Sequence, residues 1–501
     1  MRLITKAEWK RARAEDIVLV GSGQVPLAPH FVRALRNGTL CRASLCGPST
    51  DHLSKSGDQR RITTIDGALQ RDVAGIASHQ RTLLTKYGAA NVAVVVLDNA
   101  TGAIRAYEGS GGWTGALSMN QGGMIDGVRE PRQTGSVIKA FVYALAFDEG
   151  ASPGDLVDDA PFVAAGATGE FRPRNYDKRF RGELTLREAL AQSVNVAAVR
   201  VLAEHGPADL VALLGRAGVT LPESTYGLSL ALGAAEVDLM KLTAAYAMFA
   251  RGGRSLQPVA LEPARSQPGH RVISPEAAFL VTDVLADNDA RTPAFGRSSA
   301  LRFDFPVSAK TGTSSDFHDN WVIGSSARVT VGVWVGNFDR TPLRGATGVT
   351  GAGPVFRAVM LAAEDRLAED GPVLPLLRPP SSLTRIAACR RAVCDASTDD
   401  YVRASPVALS SDSGRRHRPK TDGLAIVSPS GRGAYVIDPN RSVGQQLPLR
   451  ASGGEAPYYY TVNGARQQKP WWEPTVGTHR VCVTDAATRR TCREFRVRFV
   501  G

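Results

Sequence analysis

No stretch of this 501-residue chain approaches the ~18 consecutive apolar residues that a transmembrane helix needs. The opening residues, Met1 to Lys10, hold no apolar segment and do not read as a signal peptide. Cysteine is scarce. Cys41, Cys46, Cys389, Cys394, Cys482 and Cys492 fall into three sequence-local pairs whose connectivity the sequence leaves open. The even count leans towards an oxidising compartment. No Cys-x-x-Cys occurs among them, so zinc is disfavoured, and neither metal nor cofactor is expected. Long uninterrupted runs of basic residues are also missing. The net charge of +12 therefore reads as scattered arginine suited to anionic surroundings, not as a nucleic-acid footprint. An apolar content of 43% with 22% charged residues is that of an ordinary globular protein, here long enough for two to four domains.

One stretch organises what is present. Arg132 to Leu145 places glycine before Ser136, and the serine opens an apolar run with helical spacing: Val137, Ile138, Phe141, Val142, Leu145 and Ala146. Lys139 lies three residues on, hence on the same helix face. A serine hydroxyl needs an adjacent base to become a nucleophile. A lysine can serve only if burial lowers its pKa from about 10.4. The unpaired N–H groups of a helix start can face a developing oxyanion. The plainer alternative is a capping serine and a snorkelling lysine.

In chain order, residues 1–60 look peripheral, with a capping-box pattern at Thr5–Glu8. Residues 61–371 read as one α+β unit. A helix runs through Leu69, Val73 and Ile76, and a hairpin pairs Val92–Leu97 with Ala103–Tyr107. Helices follow, including one opened by the capping box Thr185–Glu188 and others over Val237–Phe249 and Pro275–Asp287. Strands return at Val307–Thr313, Asn320–Gly324 and Val329–Val335, and a helix over Pro354–Leu367 closes the unit. This order suggests an antiparallel sheet with packed helices. The proline-rich junction Pro372–Pro380 opens a polar linker over 372–424. Residues 425–501 carry short strands separated by turns, a small C-terminal β-sandwich pattern.

Two further motifs follow Ser136. Ser193-Val194-Asn195 interrupts a helical stretch, and Lys310-Thr311-Gly312-Thr313 ends an apolar strand. Alone, the first is a capping turn and the second an edge strand with a solvated lysine. Ser118-Met119-Asn120 and Lys55-Ser56-Gly57 also fit the short patterns, but both precede Ser136 and break the order. Ser-x-x-Lys, then Ser-x-Asn, then Lys-Thr-Gly is the set used by class A β-lactamases and penicillin-binding proteins.

On these motifs, together with Arg129–Leu145, Asp319–Gly324 and Val331–Asn337, the chain resembles the transpeptidase part of class A penicillin-binding proteins of the 1C type. The tail from Ser428 resembles that type's C-terminal β domain. The resemblance covers roughly residues 60 to 501 and implies the serine penicillin-recognising transpeptidase fold. It also implies roles. Ser136 would attack the D-Ala–D-Ala amide of a peptidoglycan stem peptide, with Lys139 as base. Ser193 and Asn195 would relay protons and position the donor. Lys310 would supply charge, and Thr311 and Thr313 would bind the substrate carboxylate. Gly312 would let the strand approach the substrate closely. The N–H groups of Ser136 and Thr313 would form an oxyanion hole. β-Lactam antibiotics would acylate Ser136 as mimics.

The family usually has proline where this chain has Thr134, and often where it has Ala140. It also places a membrane helix and a glycosyltransferase domain ahead of the transpeptidase part. Thr5–Asp16 looks like the helix following that domain, so residues 1–60 read as a remnant of the inter-domain linker. Glycosyltransferase activity is not expected from this chain alone. A separate glycosyltransferase or membrane-anchored partner is one expectation, and the periplasmic face of the inner membrane the implied location. Two rival readings stand beside the transpeptidase. One is a D,D-carboxypeptidase or β-lactamase-like hydrolase, with Glu204, Glu223 and Glu236 as candidate deacylation bases. The other is a non-catalytic module that binds wall peptide or β-lactam.

Overall fold

The computed structural model describes residues 26–38, 40, 62–113, 121–161, 164–166, 169–222, 226–367, 375–389, 397–403, 424–429, 434–437, 447–452, 455, 457–469 and 471–499. The Thr5–Glu8 capping box, the helix expected over Thr5–Asp16, Cys41, Cys46, Cys394, Glu223 and both decoy motifs lie outside the described residues.

After a short helix α1 (Pro29–Arg36), α2 (Gly67–Leu84) starts at Asp66, whose carboxylate accepts the Ala68 and Leu69 N–H groups. The hairpin β1 (Asn91–Asp98) and β2 (Ile104–Glu108) follows. A helical block comes next: α3 (Lys139–Asp148), α4 (Leu186–Ala191), α5 (Asn195–His205), α6 (Leu239–Ala250), α7 (Pro275–Ala286) and α8 (Asn288–Phe295). The expected capping box is present at α4, where Thr185 and Glu188 satisfy each other's backbone N–H. The chain then returns to strands β3 (Ser308–Thr313), β4 (Asp319–Ser325) and β5 (Val329–Gly336), and closes with α9 (Ala352–Leu367).

The five strands form one antiparallel sheet in the order β2-β1-β5-β4-β3. Alternation along β1 sends Val92, Val94 and Val96 to one face and Ala93, Val95 and Leu97 to the other, and all six are buried. The first face packs on α2 and α9 through Leu69, Val73, Val355, Phe356 and Met360. The second packs on the helical block through Phe141, Leu242, Met248 and Val281. Burial on both faces explains why β1 reads as an unbroken apolar run. Strand β3 is the sheet's edge, and the helical block stands over it.

The interval 372–424, read from sequence as a linker, contains a hairpin. β6 (Leu383–Cys389) pairs antiparallel with β7 (Ser397–Arg403) and packs against the helical block. Tyr401 meets Phe279 of α7 edge to face, with ring centroids 4.9 Å apart. Arg403 donates to the carbonyl of Phe147 at 2.9 Å. Asp400 accepts twice from Arg187 of α4, at 2.9 and 3.3 Å, while Asp283 and Asp287 hold the same guanidinium. Burial works against the Arg187 charge, but hydrogen bonds to Asp400 and Asp283 raise its pKa above the ordinary arginine value. An Asp400 so placed makes the hairpin part of the helical block's packing.

The C-terminal strands β8 (Ala434–Ile437), β9 (Tyr459–Val462), β10 (Ala465–Gln467), β11 (Gly477–Thr484) and β12 (Arg490–Phe499) form a second sheet in the order β8-β12-β11-β9-β10. Val462, Val481, Val483, Phe495 and Val497 bury one face of it against Ile426, Leu449 and Ala451. Cys482 and Cys492 stand opposite each other in β11 and β12 and form a disulfide, a pairing the sequence left open.

A shortened chain ending after Arg403 should keep the melting temperature of the α+β unit. One ending at Gly371 should melt lower, because it uncovers Phe279 and removes a carboxylate from Arg187. Removing one partner of a buried ion pair costs about 3–5 kcal/mol, and the two remaining aspartates bring the cost below that range. Equal melting temperatures for the two truncations would show the hairpin to be passive.

Candidate active site

Ser136 lies in a one-turn 3₁₀ segment, Gly135–Ile138, that runs directly into α3. The turn is fixed from several sides. Tyr246 donates to the Val137 carbonyl. The Trp321 indole of β4 donates to the Gln133 carbonyl at 2.9 Å. Gly135 has φ +52°, and a Cβ there would lie 2.5 Å from Thr313 O. Gly233, at φ +84°, packs on Gly135 so closely that its own Cβ would lie 2.2 Å from the Gly135 nitrogen. Glycine is therefore required at both positions.

Lys139, one turn after Ser136, is fully buried. Its Nζ lies 2.7 Å from the Ser193 carbonyl, 3.4 Å from Ser193 Oγ and 2.6 Å from Asn195 Oδ1. Ser193 follows α4 with φ +61°, a left-handed conformation costly for a non-glycine residue. Asn195 opens α5. Its Nδ2 donates to the Arg174 carbonyl, and its backbone N–H is capped by Asn175 Oδ1. Lys310, buried on β3, points its Nζ at Ser193 Oγ (2.7 Å) and at its neighbour's carbonyl, Thr311 O (3.0 Å). One hydroxyl therefore lies between two buried amines.

Burial, and then the Lys310 charge, hold the Lys139 pKa well below the ordinary lysine value. Burial, and then the nearby Arg291 charge, lower Lys310 to about 7. A buried lysine without a carboxylate partner sheds its proton because the charged form loses its hydration. Lys139 is thus chemically able to accept a proton near neutral pH.

Alternation along β3 divides the other candidates. Lys310 pairs with Ile323 and Gly312 with Trp321, residues that belong to the helical-block core. Thr311 pairs with Val322, which belongs to the α9 side. Thr313 Oγ1 accepts from the Gly348 N–H at 2.9 Å, which leaves its own proton free to donate elsewhere. At Gly312 a Cβ would lie 2.7 Å from Thr134 O and 3.1 Å from the Val137 nitrogen. The close approach permitted there is that of the serine loop. Thr313 turns its backbone to the same loop, since a Gly135 Cβ would lie 3.0 Å from Thr313 N.

The structure thus brings Lys139, Ser193, Asn195 and Lys310 into one network beside Ser136, with Gly312 and Thr313 against the serine loop. Two contributors carried no sequence signal. Asn175 caps α5 from a loop twenty residues upstream. Arg291, a buried arginine of α8 held by Asn288 and the Leu301 carbonyl, raises the positive potential at Lys310. Of the glutamates named as hydrolytic bases, Glu236 is paired with Arg340 at 2.8 Å. Glu204 sits nine residues along α5 from Asn195, about 13 Å down the axis.

An antiparallel sheet flanked by helices, with these three motifs meeting at the sheet's edge strand, defines the serine penicillin-recognising fold. The family comparisons agree. A model described as penicillin binding protein transpeptidase domain matches residues 92–361, and one described as Penicillin-Binding Protein C-terminus Family matches residues 413–495. The first match covers more than half of the chain, which belongs to the penicillin-binding protein transpeptidase family. Penicillin-binding protein 1C of Escherichia coli is 33% identical over 77% of this chain and 46% of its own length. Penicillin-binding protein 1A of Rickettsia bellii is 31% identical over 50% of this chain and 35% of its own. The chain therefore spans less than half the length of these relatives. Penicillin-binding protein 1A from Haemophilus influenzae shares the fold, with a TM-score of 0.55 and 23% identity over 64% of this chain and 54% of that one. So does PonA1 from Mycobacterium tuberculosis, with a TM-score of 0.56 and 20% identity over 70% and 95%.

Because the Lys310 charge depresses the pKa of Lys139, Lys310→Gln should raise the latter. The base then stays protonated to higher pH, and the acid limb of the acylation rate profile should move up. Stopped-flow acylation across pH measures this. An unmoved limb would mean that the two amines do not sense each other.

Proposed function

We propose that this chain is a serine D,D-transpeptidase that cross-links peptidoglycan stem peptides and is acylated by β-lactams. The observation carrying this reading is the Lys139–Ser193–Lys310 network one helical turn from Ser136. Lys139, whose pKa burial lowers well below the ordinary lysine value, takes the Ser136 proton as Oγ attacks the carbonyl of the penultimate D-Ala. The N–H groups of Ser136 and Thr313 receive the oxyanion. Collapse expels the terminal D-Ala amine, which takes a proton through Ser193 from the lysine pair. The Lys310 charge, with the Thr313 hydroxyl, holds the terminal carboxylate, while Thr311, whose strand position faces α9, takes no part. An acceptor amine on a second stem peptide then attacks the ester, gives up its proton to the same relay, and releases Ser136.

Hydrolysis instead of transfer needs a base beside the acyl ester. The engagement of Glu236 by Arg340 and the distance of Glu204 along α5 favour transfer. Among the described residues no helix is long and apolar enough to cross a membrane. Action at the periplasmic face of the inner membrane, alongside a separate glycosyltransferase or membrane-anchored partner, is the setting that the family relation supports.

Ser136→Ala should abolish covalent labelling by a fluorescent penicillin while the melting temperature stays near that of the parent chain. Labelling that persists in the folded variant would remove Ser136 from the mechanism. Lys139→Ala should slow acylation by about 10²–10⁴-fold, the usual cost of losing a general base, with a smaller effect on pre-covalent affinity. If only the affinity changed, Lys139 would be a positioning charge.

A further inference from the structure

The mouth of the cleft is bridged by two aromatic rings. Tyr176 and Phe317 meet edge to face, with centroids 5.9 Å apart. They come from opposite walls. Tyr176 belongs to the loop between the strands Gly169–Phe171 and Gly182–Thr185, on the Ser193/Asn195 side. Phe317 belongs to the turn between β3 and β4, four residues past Thr313. Their contact therefore links the segment that caps Asn195 to the turn that follows Thr313.

Both walls hold their ring from a fixed base. The residue before Tyr176, Asn175, is buried, and its side chain is saturated. Its Oδ1 accepts from Asn195 N and Val196 N, and its Nδ2 donates to both Asp159 oxygens and to the Arg179 carbonyl. The backbone below Tyr176 is thus tied to the Ser-x-Asn motif itself. On the other wall, Asp316 and Phe317 take successive left-handed conformations, φ +56° and +62°. Two consecutive non-glycine residues there are costly, and the turn is pinned by Ser314 and by the Leu343 N–H to the Phe317 carbonyl. The strained turn delivers the Phe317 ring towards the opposite wall. Tyr176 stays 69% exposed despite this contact, so packing below it does not account for its place.

The loop that carries Tyr176 is also cationic. Arg172, Arg174, Lys178, Arg179 and Arg181 lie in it with Asp177, and Arg181 pairs with both Asp177 at 2.8 Å and Asp159 at 3.7 Å. A ligand approaching here meets positive charge first and an aromatic bridge next.

We propose that Tyr176 and Phe317 form a clasp that sets the substrate specificity of this site: a slender, anionic, extended peptide passes beneath the rings, while an acyl group with a broad side chain must part them. The proposal rests on the transpeptidase reading of the same site. The rings touch neither the reacting atoms nor the lysine pair, so they act on entry and not on the chemical step.

The test compares acylation of the full chain by two β-lactams, the unacylated penicillin nucleus and a penicillin bearing a bulky naphthyl amide. Edge-to-face pairs contribute about 0.5–1.5 kcal/mol, so Tyr176→Ala should raise the bulky-to-small ratio of second-order rate constants by about two- to tenfold. Phe317→Ala should do the same, and the double variant should gain no more than either single one, because one contact is lost in all three. Tyr176→Phe should keep the parent ratio. A ratio unchanged in Tyr176→Ala, or effects that multiply in the double variant, would overturn the clasp. Failure of the unaltered chain to be acylated by either compound would instead overturn the transpeptidase reading.

Discussion

Everything else in the catalytic unit serves one electrostatic constraint: two lysine amines are buried around one serine hydroxyl, with no carboxylate among their hydrogen-bond partners. Lys139 and Lys310 reach Ser193 Oγ at 3.4 and 2.7 Å from different layers of the fold, one from a helix and one from a strand. Neither layer can shift without exposing or crowding an amine. Burial costs the charged forms far more than the neutral ones, and that imbalance turns lysine from a surface cation into a base. The five-stranded sheet presents Lys310, the α3 helix presents Lys139, and the positive φ of Ser193 aims its hydroxyl between them.

Much of this was legible in the sequence, for reasons that can be named. The unbroken apolar run of β1 announces a strand buried on both faces. The capping box at Thr185 locates α4, and so the break that carries Ser193. Motif order then excluded the decoys. What stayed hidden depends on contacts between distant segments. Asn175 sits in an irregular stretch with no periodicity, yet it holds the start of α5. Arg291 looks like any helix arginine until the fold sets it behind Lys310. The hairpin at 383–403 reads from sequence as a linker because it lies just beyond a proline-rich run and its second strand, Ser397–Arg403, is polar. The hairpin's partner surface is on α4 and α7, which local sequence does not record.

The hairpin also bears on the site. Arg187 lies in the first turn of α4, and α4 ends at Ala191, two residues before Ser193. Asp400 grips that first turn. The 383–403 hairpin is therefore packed onto the same helix that leads into the central hydroxyl.

The stack of Gly233, Gly135 and the Thr313 backbone has an evolutionary consequence. Three main-chain segments touch there with no side chain between them, and any Cβ at either glycine would strike neighbouring backbone. The spacing of Ser136 and Thr313 is thus set by peptide groups, which point mutation cannot resize. A lineage pressed to escape an acylating drug has no substitution available at this spot. Adaptation is channelled outward, to side chains at the rim of the cleft and to the positions that support them.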